Sequence, residues 1–316
     1  MGKQQILLES GTNEMELLEF LIGGQSFGVN VAKVQSIVQY DPKTVTKVAT
    51  APPAMMGMML HRGKTIPLID LANALDMNKK KDADANSTSV VIVTEFNNSI
   101  NSFLVDGVNR IHRLCWDAFV PISNVINISG LGIIGSVHIN DTEVMVVDLE
   151  HILSRIFPQL AIGEAASEIF QIEKKHGREE VCIFFAEDSK TIRDNVVRVL
   201  CSAGYNKLRV FENGQKALDV LMGMRDKVKA EDSFAVELPN VLISDIEMPE
   251  LDGLTLCKSL KSDSILRNIS VIMFSSLIND QMIMKCESVG ADSYITKPEM
   301  NKLINMLDER CLKKEK

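Results

Sequence analysis

The 316-residue sequence lacks the features that mark several large classes of protein. Its six cysteines form no CxxC pair, and no histidine stands at metal-site spacing from them, so neither a disulfide framework nor a zinc site is expected. We expect free, buried thiols in a reducing compartment. No apolar run approaches the length of a membrane span, and the N-terminus has no secretory signal pattern, so we expect a cytoplasmic chain without direct membrane insertion.

The chain also lacks a basic excess. Its formal net charge is −8, and neither half carries more Lys and Arg than Asp and Glu. The nearest basic run, Lys79-Lys80-Lys81, is followed at once by acidic residues, which favours a solvated loop. Nucleic acid is therefore not an expected partner. What is present, 46% apolar and 24% charged residues, is typical of folded globular protein, and the length allows two domains.

Residues 12–160 show the pattern of an all-β domain. Short apolar stretches alternate with clusters of Gly, Asn, Asp and Pro, as in small barrels or sandwiches. Residues 64–75 resemble residues 141–153, because each segment reads as a strand, then Asp-Leu, then a short apolar helix. Two related sub-barrels would explain this repeat, and chance similarity between two short units is the alternative.

The second half of the chain has a different pattern. Residues 161–179 are predicted to be a helical or flexible linker, and residues 180–316 alternate short, nearly continuous apolar runs with amphipathic helices. This alternation predicts five βα units in a doubly wound α/β domain, in which ligands bind at the carboxyl ends of the strands. A charged stretch, Met222–Pro239, is longer than the usual connection and suggests an insertion.

Three acidic residues lie at predicted strand ends. Glu187 and Asp188 follow the first strand of the α/β domain, and Asp245 follows the third. Converging carboxylates repel each other unless a cation intervenes, and a shallow site of hard oxygen ligands favours Mg²⁺. On charge alone, three solvated loop acids are an equally good reading.

Two further strand ends favour phosphoryl transfer. The fourth strand ends in Ser275, and the fifth is followed by Lys297. A carboxylate, a cation, a hydroxyl and an ammonium group at adjoining strand ends suit aspartyl-phosphate chemistry, with Asp245 as the nucleophile. Lys297 and the metal would neutralise charge on the transferring oxygens, and Ser275 could donate a hydrogen bond to the attached phosphoryl group.

The blocks that carry these residues resemble the two-component response-regulator receiver domain, which has a flavodoxin-like fold. They are residues 185–189 (FAEDS), 244–253 (SDIEMPELDG), 273–276 (MFSS) and 294–298 (YITKP), in the family's order. The resemblance implies that Asp245 is the phosphoacceptor, with Lys297 as the phosphate-contacting lysine and Ser275 as the switch hydroxyl. It also implies that the backbone carbonyl of Glu247 completes an Mg²⁺ site with Glu187, Asp188 and Asp245, and that Tyr294 is an aromatic switch residue.

The first half resembles the CheW coupling domain of bacterial chemotaxis. The resemblance rests on residues 27–37 (FGVNVAKVQSI), 53–57 (PAMMG) and 62–71 (RGKTIPLIDL). It implies two five-stranded barrels that bridge methyl-accepting chemoreceptors to the histidine kinase CheA, with partner contacts at positions matched by Val34, Gly57 and Arg62. Ser36 stands where that family often carries an acidic residue.

A CheW-like domain ahead of a receiver is the layout of the CheV family. The resemblance implies a non-enzymatic chemotaxis adaptor, recruited to membrane chemoreceptor arrays through its partners and regulated by phosphorylation of Asp245. Within the family, the receiver could instead act mainly as a phosphate sink for CheA. A haloacid-dehalogenase-like phosphatase is a more distant alternative, because such enzymes carry a second Asp two residues after the nucleophile, where this chain has Glu247.

Overall fold

The structure, a computed structural model, describes residues 11–77, 89–96, 99–122, 132–157, 175–230, 237–276, 280–297 and 299–312. Contacts between residues divide the chain into two units. The N-terminal unit is Met15–Glu164, and the C-terminal unit combines the residues from Ala165 onwards with those up to Glu14. The lysine run at 79–81 and residues 161–174 of the predicted linker lie outside the described residues.

The N-terminal unit is built from short strands and two short helices, as its sequence predicts. In chain order the elements are β1 (Glu14–Ile22), β2 (Gln25–Asn30), β3 (Val34–Gln39), β4 (Val45–Thr46), β5 (Met55–His61), β6 (Lys64–Asp70), α1 (Leu71–Ala74), β7 (Val90–Phe96), β8 (Ser99–Val105), β9 (Gly107–Cys115), β10 (Phe119–Pro121), β11 (Ile133–Ile139), β12 (Thr142–Val147) and α2 (Leu149–Ile156).

These strands form two sheets. Among the described residues, one sheet has the order β10-β11-β12-β2-β1-β9 and the other has the order β3-β7-β8-β6-β5-β4. Each has six strands rather than the five that the resemblance implies, and each includes one very short strand, β4 or β10. In the second sheet, the hydroxyl of Ser36 on β3 lies 3.3 Å from Nε2 of His61 on β5, although three strands separate β3 from β5 in the pairing order. This contact requires the sheet to curl like a barrel wall.

The two similar segments adopt the same local structure, which confirms the predicted strand–Asp–helix pattern. Asp70 ends β6, and its carboxylate accepts a hydrogen bond from the backbone N–H of Asn73 in α1. Asp148 follows β12 in the same way and accepts from the first turn of α2. Aspartate suits both positions because its side chain satisfies N–H groups that a helix start leaves unpaired. The repeat occurs once in each sheet, as related sub-barrels require.

Alternation along β1 explains how the two sheets share a core. Leu17 is buried in a cluster with Trp116 and Phe119 inside the first sheet. Its neighbours Leu18 and Phe20 are buried in a central cluster to which strands of both sheets contribute. Since successive side chains on a strand point to opposite faces, one apolar strand supplies both clusters.

The C-terminal unit has the predicted alternation of strands and helices. Its elements are β13 (Cys182–Ala186), α3 (Lys190–Ala203), β14 (Lys207–Phe211), α4 (Gly214–Lys229), β15 (Val241–Ser244), α5 (Gly253–Ser262), β16 (Ser270–Ser275), α6 (Asp280–Ser288), β17 (Ser293–Thr296) and α7 (Met300–Cys311). The strands pair in parallel in the order β14-β13-β15-β16-β17. This order confirms a doubly wound sheet, and its first strand lies beside its third.

Both faces of this sheet are covered, which explains why its strands read as continuous apolar runs. On β13, Ile183 and Phe185 are buried in the cluster that includes side chains of α3 and α7. The alternate residues Phe184 and Ala186 are buried in the cluster formed with α4, α5 and α6. Helices therefore lie on both faces, two on one and three on the other, and the chemistry is left to the ends of the strands.

Two expectations need correction. Of the six free cysteines, only Cys257 and Cys286 are buried, while Cys115 and Cys201 are exposed. Cys257 on α5 and Cys286 on α6 are part of the apolar cluster against the sheet. Cys115 at the end of β9 and Cys201 on α3 occupy exposed positions. The stretch Met222–Pro239 is not all insertion, because α4 continues to Lys229; residues 231–236 lie outside the described residues.

Among the residues that the structure describes, no helix is long and apolar enough to cross a membrane.

Candidate phosphoacceptor site

The predicted site residues come from four strands of the parallel sheet. Glu187 and Asp188 follow β13, Asp245 follows β15, Ser275 ends β16 and Lys297 follows β17. Each strand lies beside the next in the sheet, so their carboxyl ends meet at one edge. Backbone hydrogen bonds continue the ladder past the strand ends, from Asp245 N–H to Ala186 and from Lys297 N–H to Ser275. The side chains of Glu187, Asp188, Asp245 and Lys297 lie together at this edge, and the roles assigned to them stay predictions.

An ammonium group links two of the carboxylates. Nζ of Lys297 lies 2.8 Å from Oδ2 of Asp245 and 3.3 Å from Oε1 of Glu187. Oxygens of Glu187, Asp188 and Asp245 all lie within 4.8 Å of one another. One ammonium group neutralises only part of this negative charge, so the cluster has room for a further cation.

Burial makes that charge costly. Glu187 is completely buried, and Asp245 is only 4% exposed. Burial raises the pKa of Glu187 well above its usual range; Lys297 opposes the rise, and the nearby carboxylates of Asp245 and Asp188 add to it. Oε2 of Glu187 makes no hydrogen bond, although Nζ of Lys297 lies 3.2 Å away in a poor orientation. A buried oxygen without a hydrogen bond is the feature that a bound cation would satisfy.

The loop after Asp245 holds the carboxylate firmly. Oδ1 of Asp245 accepts a hydrogen bond of 2.7 Å from the N–H of Ile246, and the N–H of Gly253 returns to the Ile246 carbonyl. Gly253 approaches so closely that an added Cβ would lie 1.9 Å from the carbonyl oxygen of Asp245. Glycine is therefore required there for close packing, and the start of α5 is fixed against the phosphoacceptor position.

Arg193, in the second turn of α3, contacts the site and is not among the residues predicted from the sequence. Its guanidinium donates to the carbonyl oxygens of Glu187 at 2.5 Å and Asp188 at 3.2 Å, and so fixes the backbone of both acidic residues. Its position in the sequence could have indicated this contact, because the first residues of a helix that starts soon after a strand lie close to the end of that strand. An arginine there can bind the carbonyls of the turn.

The two predicted switch residues lie on neighbouring strands and differ in burial, since Ser275 is buried and Tyr294 is only half-buried. Ser275 is 3% exposed at the end of β16, and its backbone carbonyl accepts a hydrogen bond from the N–H of Lys297. Tyr294 lies in β17, pairs with Met273 and is half-buried against the cluster formed with α4, α5 and α6. Glu247 lies two residues after Asp245, in the same loop.

The three predicted partner contacts lie in the second sheet of the N-terminal unit. Val34 starts β3 and is half-buried, whereas Arg62 is exposed in the β5–β6 turn with a positive φ of 47°. Gly57 is buried at a register shift in β5, and its Cβ would lie 2.3 Å from the carbonyl oxygen of Thr46. Close backbone packing alone therefore requires glycine at this position.

Comparison with known proteins identifies both units. The CheW-like domain matches residues 16–157, and the response regulator receiver domain matches residues 183–308. Chemotaxis protein CheV3 of Helicobacter pylori is 32% identical over 305 residues, covering 92% of each chain. CheV2 of the same organism is 25% identical over 312 residues, covering 93% of this chain and 94% of that relative.

Solved structures resemble one unit at a time. The scaffolding protein TtCheW from Thermoanaerobacter tengcongensis is 19% identical, with a TM-score of 0.39, and the alignment covers 48% of this chain and 92% of TtCheW. The chemotaxis protein CheY4 of Vibrio cholerae is 24% identical, with a TM-score of 0.34, and its alignment covers 41% of this chain and 98% of CheY4.

The strand-end cluster and the two-sheet N-terminal unit together define a chemotaxis coupling adaptor with a phosphorylatable receiver domain. The match to CheV3 extends over both units and the segment that joins them. The chain belongs to the CheV family.

Proposed function

We propose that Asp245 accepts a phosphoryl group from a phosphohistidine of the kinase CheA and thereby regulates how the chain couples chemoreceptors to that kinase. The observation that carries the proposal is the convergence of Asp245, Glu187, Asp188 and Lys297 at one edge of the sheet. In this transfer an oxygen of the Asp245 carboxylate attacks phosphorus, the bond from phosphorus to the histidine nitrogen breaks, and an acyl phosphate remains on the receiver.

The residues fit a divalent cation. Glu187, Asp188, Asp245 and the backbone carbonyl of Glu247 would hold Mg²⁺, and the hydrogen-bond deficit at Oε2 of Glu187 supports this assignment. When bound, the ion would neutralise charge on the phosphoryl oxygens.

The other pocket residues have separate proposed roles. Lys297 would contact the oxygens of a phosphoryl group on Asp245, since its ammonium already contacts Oδ2. Ser275 would donate its hydroxyl hydrogen to the phosphoryl group, and Tyr294 would change its packing in response. The proposed role is that of an adaptor that accepts a phosphoryl group without turning over a substrate of its own.

The N-terminal unit would supply the partner-binding surface for CheA and for methyl-accepting chemoreceptors. We propose Val34 and Arg62 as contact residues and Gly57 as the residue that shapes the strand beneath them. The proposed boundaries are 12–160 for the coupling domain, 161–179 for the linker and 180–316 for the receiver. The protein would work in the cytoplasm, at receptor arrays that it reaches through its partners.

Substitution of the phosphoacceptor tests the proposal. Radiolabel from phosphorylated CheA should reach the wild-type chain and the control Asp219→Asn, an exposed aspartate on α4, but not Asp245→Asn. Circular dichroism should show that all three chains are folded. Equal labelling of Asp245→Asn would contradict the assignment. Measurements of CheA kinase activity in reconstituted arrays then separate the two roles of the receiver. A regulatory switch changes kinase activity even when the level of phosphorylated CheA is held constant, whereas a phosphate sink does not.

A further inference from the structure

A short segment before β1 contacts the loop that follows the phosphoacceptor. This segment, Gly11–Asn13, is named the strap. By its contacts it belongs to the C-terminal unit, whereas Met15, two residues after it, is the first residue of the N-terminal unit. The chain therefore passes from the strap directly into β1.

Asn13 makes three hydrogen bonds to the receiver. Its backbone N–H donates to Oγ1 of Thr255 at 3.0 Å, and its side-chain Nδ2 donates to the carbonyl of Glu250 at 2.9 Å. Its Oδ1 accepts from the N–H of Asp252 at 3.1 Å. One side chain thus holds two backbone groups of the loop, and one backbone group holds the first turn of α5.

The strap is shaped for this contact. Gly11 and Asn13 both have positive φ angles, 71° and 57°, and glycine and asparagine tolerate this region best. At Gly11 an added Cβ would lie 2.7 Å from the side chain of Lys258 on α5. Glu250, whose carbonyl Asn13 binds, also has a positive φ of 65°. The contact therefore stabilises an unusual backbone conformation on each side.

The loop that the strap holds is the one that carries Asp245. The N–H of Gly253 is bonded to the carbonyl of Ile246, and Gly253 packs directly against the Asp245 carbonyl. A loop tied at both ends moves as one piece, because close packing leaves no room for local adjustment. Any rearrangement around a phosphorylated Asp245 must therefore displace Glu250 and Asp252.

We propose that the strap is a regulatory device in which Asn13 holds the loop in its unphosphorylated conformation, and in which phosphorylation of Asp245 releases that hold and so alters the start of β1. The inference rests on the proposed function, which supplies the phosphoryl group. It identifies a route by which the state of the receiver reaches the coupling domain without any additional partner.

Thermodynamic linkage makes the route measurable. If beryllofluoride with Mg²⁺, used as the phosphoryl mimic, weakens the strap contact, loss of that contact must strengthen beryllofluoride binding by the same factor. In full-length Asn13→Ala, the beryllofluoride concentration for half-saturation should fall about fivefold. In the wild type, beryllofluoride should raise the exchange rate of the Asp252 amide hydrogen about fivefold, since that amide loses its hydrogen bond to Asn13.

A matched control separates the contact from the backbone strain of the substitution. Asn140 is another asparagine with a positive φ, at an exposed position in the β11–β12 turn. Asn140→Ala makes the same chemical change and should leave the half-saturation value at that of the wild type. Thr255→Val removes the acceptor for the Asn13 N–H together with the hydroxyl that donates to Oδ2 of Asp252, and it should shift the value in the same direction as Asn13→Ala.

The decisive readout is amide exchange in β1. Beryllofluoride should change exchange at residues 15–22 in the wild type and in Asn140→Ala, but not in Asn13→Ala. Equal changes in all three chains, or an unchanged Asp252 amide in the wild type, would overturn the inference. If beryllofluoride does not protect the loop around Asp245 at all, the proposed function fails first. If beryllofluoride protects the loop around Asp245 but leaves amide exchange at Asp252 and at residues 15–22 unchanged, only the inference about the strap is refuted.

Discussion

Substitution of Asp308 should destabilise the C-terminal unit in a pH-dependent manner. Both oxygens of Asp308 accept hydrogen bonds of 2.7 Å from Arg178, and Oδ1 accepts another from the hydroxyl of Tyr205. Lys175 lies 2.8 Å from Oδ2. Arg178 and Asp308 are both buried, so this network fastens the segment before β13 to α7 in a poorly solvated environment.

The magnitude follows from the pKa of Asp308. Burial alone would raise this pKa, but hydrogen bonds from Arg178, Lys175 and Tyr205 outweigh burial and lower it from 3.8 to about 2. A depressed pKa stabilises the folded state above pH 3.8, and the contribution is lost as pH falls from 3.8 through about 2, because both states are protonated only below that pH. The shift corresponds to about 2 kcal/mol. Asp308→Asn should cost at least this much at pH 7, and about 3–5 kcal/mol if Arg178 is left as an uncompensated buried charge.

Urea unfolding of the full chain between pH 2 and 7 measures this contribution. Far-UV circular dichroism follows the C-terminal unit, which has five of the seven described α-helices, and fluorescence of Trp116, the single tryptophan, follows the N-terminal unit. The difference in unfolding free energy between the wild type and Asp308→Asn should shrink from pH 4 to pH 2. Glu309→Gln, an exposed neighbour on α7, should behave as the wild type does. A loss below 1 kcal/mol at pH 7, or a pH-independent difference, would refute the reasoning.

Two further substitutions test the pocket. Gly253→Ala forces a methyl group against the Asp245 carbonyl, so it should lower the free energy of unfolding by about 3 kcal/mol and abolish most phosphoryl uptake. The control Gly223→Ala lies in open space on α4 and should be neutral or stabilising by about 0.5–1 kcal/mol. The same urea and labelling assays measure both variants. Equal stability of the two variants would contradict the packing argument. Lys297→Met removes an ammonium group from the acidic cluster, so calorimetric titration should show Mg²⁺ binding about tenfold tighter, with Lys302→Met, an exposed change on α7, as the control. Unchanged or weaker binding would be evidence against a cation site beside Lys297.

Much of the site was predictable because a parallel sheet converts sequence order into spatial proximity. Glu187, Asp245 and Lys297 are far apart in the chain, yet each directly follows a short apolar run. Once those runs are read as parallel strands, their carboxyl ends must lie at one edge of the sheet. The acidic residues, the hydroxyl and the lysine could therefore be assigned to one pocket before any coordinates.

Burial of individual side chains was less predictable. The exposure of Cys115 and Cys201 depends on which face of a strand or helix packs against a neighbour, and short amphipathic patterns do not determine that face. The sequence also indicated the repeated strand–Asp–helix unit, but the six-stranded sheets needed the pairing of β4 and β10, each of three residues or fewer. Strands that short carry almost no periodic signal.

By itself, the sequence determined the two units, the order of their elements and the identity of the acidic pocket, because these depend on local patterns of apolar and polar residues. Only the tertiary structure decided the contacts of Arg193, of the Arg178–Asp308 pair and of Asn13, whose partner Thr255 is 242 positions away. A polar side chain does not encode its hydrogen-bond partner; the path of the folded backbone selects that partner from groups that are distant in the chain.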